Sequence, residues 1–379
     1  MVDVSVVMPC LNEEKTVGIC VEKAIKVFKE NNIDGEVIVT DNGSTDNSAE
    51  VAGKAGANVV VEKIKGYGSA YLKGLSEAKG KYIIVADSDN TYDLLEIPKF
   101  LSPLMNDHYD FVIGTRLKGK ILPDAMPWLH KYIGNPILTK IFRIVFSANI
   151  TDMYCGIRGF TREAMEKMDL RCVGMEFAPE MIIKALKNKL KMGEVPITLH
   201  PSIGREPKIH SFRDGWRALR LIFLFAPNWL FMIPGTIFFA FGLFLIFAIL
   251  NGPLVIGSMQ FDIHPMIFGA FLSILGLQTI IFGLQSKIYS RSAGLENESR
   301  TLKFIDKYFT LEKGTVIGLA TSFIGIAILI YIFNTWLTVG FVQQIKLMLV
   351  GMTLTVLGIQ IIFSSWFLRI CSIKSGGYL

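Results

Sequence analysis

The chain has 379 residues, 51% of them hydrophobic and only 19% charged, with a net charge of +6 and a mean hydropathy of +0.43. Soluble domains carry about 25% charged residues. The composition therefore excludes a disordered or fibrous chain and a nucleic-acid-binding tail, and it points to a protein that lies partly in a bilayer. The five cysteines are odd in number and form no CxxC pair, which argues against a disulfide framework or a zinc site and fits reduced thiols in a cytosolic compartment. No signal peptide precedes the first element, because the apolar run Val4 to Met8 stops at Pro9.

Val4-Ser5-Val6-Val7-Met8 reads as a buried strand. Glu14 to Glu30 is helical, with Val17, Val21, Ala24 and Phe28 recurring at near-helical spacing. Glu36 to Thr40 is a second strand, Val51 to Ala57 a short helix and Val59 to Val61 a third strand. Ser69 to Ala78 is helical and Lys81 to Ala86 is a fourth strand. Strands alternating with helices predict a doubly wound, mostly parallel sheet, whose ligands bind beyond the carboxyl ends of the strands. Polar clusters stand at three of those ends: Pro9 to Glu14, Asp41 to Asp46, and Asp87-Ser88-Asp89. Neither GxGxxG nor GxxxxGK[ST] occurs, which disfavours dinucleotide and P-loop readings.

Asp87 and Asp89 are two carboxylates, two residues apart, at the end of an apolar strand. Such a pair can hold one hard divalent cation, Mg²⁺ or Mn²⁺, which in turn bridges diphosphate oxygens. A solvated turn looks the same in isolation, and the position at a strand end favours the metal. Further along, Arg116 follows the strand-like run Asp110 to Gly114; it is a site residue or half of a surface ion pair. Leu117 to Pro127 has glycine and proline but little periodicity and reads as a mobile lid. Arg158 is either a site residue or a buried partner of Asp152. Glu180, on a helix over Pro179 to Leu190, faces either the site or solvent.

Taken together and in order, these motifs resemble a known family. Pro9-x-Leu11-Asn12-Glu13-Glu14, then Asp41 to Asp46, then Asp87-x-Asp89 resemble the nucleotide-sugar domain of family 2 inverting glycosyltransferases, which have the GT-A fold. Gly114-Thr115-Arg116, Asp152-x-x-x-Gly156-x-Arg158-x-Phe160 and Glu176-Phe177-x-x-Glu180 are similar to the dolichyl-phosphate mannose and glucose synthase branch. The likeness spans roughly residues 3 to 210. It implies that Pro9, Leu11 and Glu13 line the nucleotide pocket, that Asp41 and Asn42 meet the base, and that Asp87 and Asp89 hold nucleotide and metal. Asn42 stands where many relatives have Asp, and its amide can both donate to and accept from a pyrimidine edge, so UDP is favoured over GDP. Arg116, Lys118 and Arg205 resemble the basic residues that face the diphosphate and the acceptor phosphate; Asp89, Arg116 and Arg205 are the implied catalytic set. Lys118, Arg158, Glu176 and Glu180 fall on the acceptor or sugar side. Mannose synthases often carry Lys near Glu176, so an acidic residue there points away from mannose.

The membrane half begins with Phe212 to Phe225, where Arg213, Trp216, Arg217 and Arg220 alternate with apolar residues. This segment suits a helix in the headgroup plane. Four runs then reach the length that crosses about 30 Å of hydrocarbon: 229–250, 265–287, 314–336 and 345–368. The loops Asn251 to His264 and Thr338 to Gln344 contain no Lys or Arg, whereas the middle loop carries Lys287, Arg291, Arg300, Lys303, Lys307 and Lys313. The positive-inside rule puts the middle loop, the catalytic domain and both termini in the cytoplasm. A weak repeat matches Pro234-Gly235-Thr236-Ile237 to Lys313-Gly314-Thr315-Val316, and Leu275-Gly276-Leu277-Gln278 to Leu357-Gly358-Ile359-Gln360. Gln278 and Gln360 need partners at membrane depth, and an inter-helix hydrogen bond is expected of them.

The expected architecture is an α/β GT-A domain with a mostly parallel central sheet over residues 1–211, an interfacial helix at 212–228, and an all-α membrane domain of four transmembrane helices at 229–379. The resemblance implies transfer of one hexose or N-acetylhexosamine from a UDP- or GDP-linked donor to a polyprenyl or dolichyl phosphate, with inversion. Partners would be the nucleotide sugar, the lipid phosphate and membrane lipids, not nucleic acid; a homo-oligomer is compatible. A processive polysaccharide synthase competes, but Asp214-Gly215-Trp216-Arg217 does not match the QxxRW-type motif of that class. A non-enzymatic lipid transport or assembly protein is the reading from another class, and intact Asp87, Asp89 and Arg116 argue against it.

Overall fold

A computed structural model describes residues 2–202, 211–292, 310–339 and 344–372. The chain forms two units, Met1–Phe225 and Ala226–Leu379.

The first unit is built on seven strands: β1 (Val4–Cys10), β2 (Gly35–Asp41), β3 (Asn58–Val61), β4 (Tyr82–Val85), β5 (Phe111–Ile121), β6 (Arg158–Thr161) and β7 (Met192–Leu199). They lie in the order β3-β2-β1-β4-β6-β5-β7. All pairings are parallel except those of β6, which runs antiparallel to both β4 and β5. The sheet is thus mostly parallel, as the alternating pattern implied. β1, β2 and β4 carry the buried apolar runs Val6-Val7-Met8, Val37-Ile38-Val39 and Ile83-Ile84-Val85 because both faces of a parallel sheet are covered by helices. Among those helices, α1 (Val17–Glu30) buries Val17, Cys20, Val21, Ala24, Val27 and Phe28, a stripe at three- and four-residue spacing. α2 (Ser48–Lys54) begins three residues earlier than its apolar periodicity suggests. Its start is fixed by the Asp46 carboxylate, which accepts from the backbone N–H of Ser48 at 3.0 Å. α3 is Tyr67–Glu77.

From β1 the chain passes to β2 on one side and β4 lies on the other, so the strand order reverses between β1 and β4. Crevices form at such switch points, and the polar loops after β1, β2 and β4 gather at this one.

The expected lid is corrected in its first half. Leu117 to Ile121 continues β5, which breaks register after Thr115 and rejoins β7 at Lys120 and Ile121. The Leu122 N–H donates to the Leu199 carbonyl at 3.0 Å. A Cβ on Gly119 would lie 1.9 Å from the Ile197 carbonyl oxygen, so glycine here permits close strand approach rather than mobility. Only Leu122 to Pro127 lies outside regular structure. The later helices of this unit are α4 (Ile97–Asn106), α5 (Asn135–Phe146), α6 (Arg162–Met168), α7 (Phe177–Lys187) and α8 (Ser211–Leu224). α8 belongs to the first unit, where Ile222 is buried in the core, rather than standing apart from it.

The second unit holds α9 (Ile233–Leu250), a short hairpin of β8 (Leu254–Ile256) and β9 (Met259–Phe261), then α10 (Ile263–Ser292), α11 (Leu311–Val339) and α12 (Ile345–Ser372). Four helical stretches are long and apolar enough to cross a membrane: Asn228–Leu250, Ile263–Arg291, Leu311–Val339 and Ile345–Cys371. With no solvent to drive helices together in lipid, small residues let backbones approach. Gly235 meets Gly276 and Gly242 meets Gly269 across α9 and α10; Gly318 meets Gly358 and Gly325 meets Gly351 across α11 and α12. A Cβ on Gly276 would sit 2.3 Å from the Phe239 backbone nitrogen. The contacts therefore equate Gly235 with Gly318, one helical turn beyond the Gly314 that the sequence repeat paired with it. Gln278 and Gln360 meet directly: Gln360 Nε2 donates to Gln278 Oε1 at 3.1 Å, between positions 82 residues apart. The pairs Gly276 and Gly358, Gly269 and Gly351, and Ser273 and Thr355 share that offset. Two equivalent hairpins thus contribute equivalent glutamines to one hydrogen bond, which satisfies at least one amide group of each at membrane depth.

Candidate active site

The crevice at the switch point is a cleft of about 690 Å³. Its floor comes from the loops after β1, β2 and β4, which are tied to one another. Asn12 adopts a left-handed conformation, φ 59°. Its N–H donates to Ser44 Oγ at 3.0 Å, and its Oδ1 accepts from the Thr45 N–H at 2.8 Å. The Glu13 N–H donates to Ser48 Oγ at 2.7 Å, and Ser88 Oγ donates to the Pro9 carbonyl at 2.7 Å. Pro9, Leu11 and Glu13 line the cleft on this rigid base.

Asp41 and Asn42 follow β2. The Asp41 carboxylate accepts from the N–H groups of Gly43 and Ser44, a turn of the type Asp favours. The Asn42 amide is committed to its own chain. Its Nδ2 donates to the carbonyls of Glu62 and Ile64, at 3.0 and 2.8 Å, and its Oδ1 accepts from the Gly66 N–H at 2.8 Å. Asn42 lines the cleft, yet its side chain serves to shape the Glu62 to Gly66 turn. An aspartate could not make the two donations, which is a physical reason for the departure from the commoner residue.

Asp87 and Asp89 stand together at the end of β4. Asp87 Oδ1 accepts from Tyr67 Oη at 2.8 Å and lies 3.4 Å from Tyr71 Oη. Burial and the neighbouring Asp89 carboxylate raise Asp87 to about 6. Asp89 Oδ1 accepts from the N–H and hydroxyl of Thr91, at 3.0 and 2.6 Å, which fixes its orientation. A Cβ on Gly156 would lie 2.6 Å from Asp87 Oδ2, so only glycine leaves room for that oxygen. Two mutually repelling carboxylates form a hard-oxygen donor pair that a divalent cation would relieve. Among the described residues no group of three or more His, Cys, Asp or Glu is placed to hold a metal ion. The pair fits Mg²⁺ or Mn²⁺ held through one or two carboxylates, with substrate phosphates supplying other ligands.

The residues expected to face phosphates are placed differently from one another. Arg116 is paired with Asp152: Nε donates to Oδ2 at 2.7 Å and Nη2 to Oδ1 at 2.8 Å. The side chains are 11% and 0% exposed. Asp152 also accepts from the N–H groups of Arg116 and Tyr154. Lys118 pairs with Glu194 at 2.9 Å, and Glu194 accepts from the Thr151 N–H and hydroxyl. Arg158 is 1% exposed and donates to the carbonyls of Cys155, Ala178 and Met153; its partners are backbone groups, and Asp152 pairs with Arg116 instead. Glu180 is fully buried. It accepts from the N–H groups of Arg171 and Cys172 and pairs with Lys184 at 3.0 Å, so it faces neither solvent nor the cleft. Glu176 immediately precedes α7, without a side-chain capping hydrogen bond, and is not among the cleft-lining residues. Arg205 lies outside the described residues.

Of the lining residues that were not singled out from the sequence, Lys65 and Tyr67 bear most on the chemistry. Lys65 is the one Lys or Arg that lines the cleft among the described residues, and Tyr67 reaches it beside Asp87. Their signal was the glycine-flanked turn Lys65-Gly66-Tyr67-Gly68 opening a helix after a strand, a place where backbone and cation can approach an anion. Here the glycines also allow overlying chain to pack closely. Gly66 has φ +153°, and a Cβ on Gly68 would lie 2.1 Å from the Cys172 carbonyl oxygen. The far wall is Met153, Tyr154, Met175, Ala178, Pro179 and Leu221.

The switch point of a mostly parallel sheet thus presents paired carboxylates and a lysine, in a chain with four helical stretches long and apolar enough to cross a membrane. The chain belongs to glycosyltransferase family 2. The description Glycosyl transferase family 2 matches residues 5–169, and the Glycosyltransferase family 2 C-terminal transmembrane region matches residues 284–372. The chain is 38% identical over 367 residues to the low-salt glycan biosynthesis hexosyltransferase Agl6 of Haloferax volcanii, covering 96% of this chain and 88% of that one. It is 31% identical to a dolichyl-phosphate hexose transferase of the same organism, covering 56% and 89%. It is 30% identical to the UDP-N-acetylglucosamine–dolichyl-phosphate N-acetylglucosaminyltransferase of Methanococcus voltae, covering 50% and 83%. The protein is a membrane glycosyltransferase of the GT-A fold that acts in glycan assembly.

Proposed function

We propose that this protein transfers a single hexose or N-acetylhexosamine from a nucleotide sugar, UDP-linked in preference to GDP-linked, to a polyprenyl or dolichyl phosphate, inverting the anomeric centre. The observation that carries the reading is the character of the cleft. Its carboxylates are a pair suited to a metal–diphosphate, its cation is Lys65, and no histidine lines it among the described residues. Beyond Glu13 and the carboxylate pair, which this reading gives to the nucleotide and the metal, the lining offers no side chain to act as a general base. A lipid phosphate needs none, because it is already anionic at neutral pH and is its own nucleophile. The printed activities of the two dolichyl-phosphate relatives support the acceptor, and one of them supports UDP.

The chain's residues then have these roles. Asp87 and Asp89 would hold Mg²⁺ or Mn²⁺, which when bound stabilises charge on the leaving diphosphate. Tyr67 and Thr91 keep the two carboxylates oriented. Lys65, exposed and lining the cleft, adds a cation. Pro9, Leu11, Glu13 and Asp41 form the nucleotide end. Arg116 acts through Asp152, which holds the Asp152 to Tyr154 segment, and with it the wall of the cleft, against β5. Arg205 gathers the acceptor phosphate, and Lys118 joins it only by leaving Glu194; alignment of the two anions provides much of the rate. Purified protein given a panel of nucleotide sugars should release nucleoside diphosphate only with polyprenyl phosphate and one donor. Equal use of free polyprenol, or elongation of a glycan without lipid phosphate, overturns the reading in favour of a processive or other membrane transferase.

The proposal includes orientation: the first unit and both termini face the cytoplasm, where nucleotide sugars are. The charge asymmetry of the loops supports it. A cysteine at Ser258, in the turn between β8 and β9, should react with an impermeant maleimide added to intact cells. One at Asn188 should react only after permeabilisation, in a background lacking Cys172 and Cys371. The reverse pattern puts the cleft on the wrong side.

A further inference from the structure

The turn that carries Asp89 is held from behind by a helix distant in sequence. From Asp87 to Asp93 the chain has three carboxylates and no Lys or Arg, so like charges within the turn repel one another. Asn90 is in the left-handed conformation, φ 58°, and the Asp89 carboxylate reaches across it to the Thr91 N–H. The cation that meets this turn is Lys23 of α1. Lys23 Nζ donates to Asn90 Oδ1 at 3.0 Å and pairs with Asp93 Oδ1 at 3.1 Å. Asp93 in turn accepts from the Leu95 N–H at 3.2 Å, which fixes the start of the short helical turn Leu94–Glu96. Three residues earlier on the same face of α1, Cys20 Sγ donates to the Ser88 carbonyl at 3.5 Å. Thus α1 grips the turn on both sides of Asp89.

The Lys23 contacts differ from an ordinary surface ion pair. The side chains of Lys23 and Asp93 are 24% and 22% exposed. The other pair on α1, Lys26 with Glu30, is 60% and 59% exposed at 3.7 Å, and pairs of that kind contribute little. A sheltered ammonium donating to an amide oxygen and a carboxylate makes charge-assisted, directional bonds. Lys23 is not among the cleft-lining residues, so whatever it does for the site it does through Asn90 and Asp93. Partners that orient metal ligands from behind change metal affinity by about 10- to 100-fold when they are removed.

We infer that Lys23 is a positioning residue for the metal site: by clasping Asn90 and Asp93 it holds the Asp87 to Asp93 turn, and with it Asp89, in one conformation before the cation arrives. The inference rests on the metal role proposed above for Asp87 and Asp89, and adds that α1 preorganises it. Such a residue raises the population of the binding-competent turn. Its loss raises the apparent Kd for metal by the factor by which that population falls, and saturating metal restores the competent state.

The test measures Mn²⁺ binding to the full-length protein in detergent, with UDP in one arm and GDP in the other, from the loss of the free-Mn²⁺ paramagnetic resonance signal. Turnover is followed against Mn²⁺ concentration in parallel. Lys23→Met should raise the Kd for Mn²⁺ about tenfold, with kcat at saturating Mn²⁺ close to that of the wild type. Asn90→Gly keeps the left-handed backbone without strain but offers Lys23 no oxygen. It should raise the Kd in the same way, and the double variant should show less than the product of the two effects. Lys26→Met, which removes the exposed pair on the same helix, should leave the Kd unchanged. Wild-type Mn²⁺ affinity in Lys23→Met and in Asn90→Gly overturns the inference and leaves the metal reading standing. A Lys23→Met protein with unchanged Kd and a kcat that saturating Mn²⁺ does not restore also overturns it. If the wild type shows no saturable Mn²⁺ binding with either nucleotide, the metal reading itself fails and the inference falls with it.

Discussion

Asp89→Asn should lower turnover by about three orders of magnitude, the equivalent of the several kcal/mol that a bound cation contributes to leaving-group stabilisation. The substitution keeps the shape of the side chain, and the new amide oxygen can still accept from the Thr91 N–H that now holds Asp89. What is lost is one of two charges. Asp87 alone, under Tyr67 and Tyr71, is a weak site for a hard divalent ion. Folding should not suffer. Asp87 is raised to about 6 from 3.8 by burial and by Asp89, so the folded form binds its proton more tightly than the unfolded chain does. The metal-free protein therefore loses stability as pH rises from about 4 to about 6. Asp89→Asn removes part of that repulsion and should flatten the decline. Turnover measured with saturating Mn²⁺, and apparent melting temperature followed against pH without metal, test both parts. Near-normal turnover in the variant, or wild-type turnover undiminished in chelator, removes the metal from the reaction.

Arg116→Ala should be the most destabilising single change near the cleft. The guanidinium makes two short hydrogen bonds to a carboxylate with no exposed surface. Removing one member of a buried pair leaves the other uncompensated and costs about 3–5 kcal/mol. For a domain of this size that is a fall of about 10 °C in melting temperature. Arg116→Lys cannot reproduce the fork and should recover only part of the loss. Arg116→Met combined with Asp152→Leu removes both charges and should recover most of the stability but not the activity, because the wall at Met153 and Tyr154 loses its anchor. If Arg116→Ala melts like the wild type and loses only turnover, the guanidinium acts on phosphate and not on Asp152.

Much of the first unit was legible because its signals are local. A parallel strand covered on both faces must be apolar over several consecutive residues, and β1, β2 and β4 announce themselves that way. α1 shows its buried stripe at helical spacing, and it starts three residues later than that spacing suggests, at Val17. The four membrane helices follow from the length of hydrocarbon they cross. The antiparallel β6 was not legible. It is only four residues long, and its direction is set by pairing with two strands far away in the chain.

The site divides in the same way. The sequence by itself determined that Asp87 and Asp89 close a buried strand beside the Pro9 to Glu14 loop, because strand order in an alternating α/β chain brings those ends to one rim. It also determined that Gln278 and Gln360 need partners in lipid. Only the tertiary structure decided who the partners are. Arg116 meets a carboxylate 36 residues away, and Arg158 and Glu180 are tied up by backbone groups. Asn42 turns its amide to a loop 20 to 24 residues on, and Lys65 comes to line the cleft. Charge and hydrogen-bonding capacity are properties of a residue. Which opposing group satisfies them depends on distances between segments remote in sequence, and those distances exist only once the chain has packed.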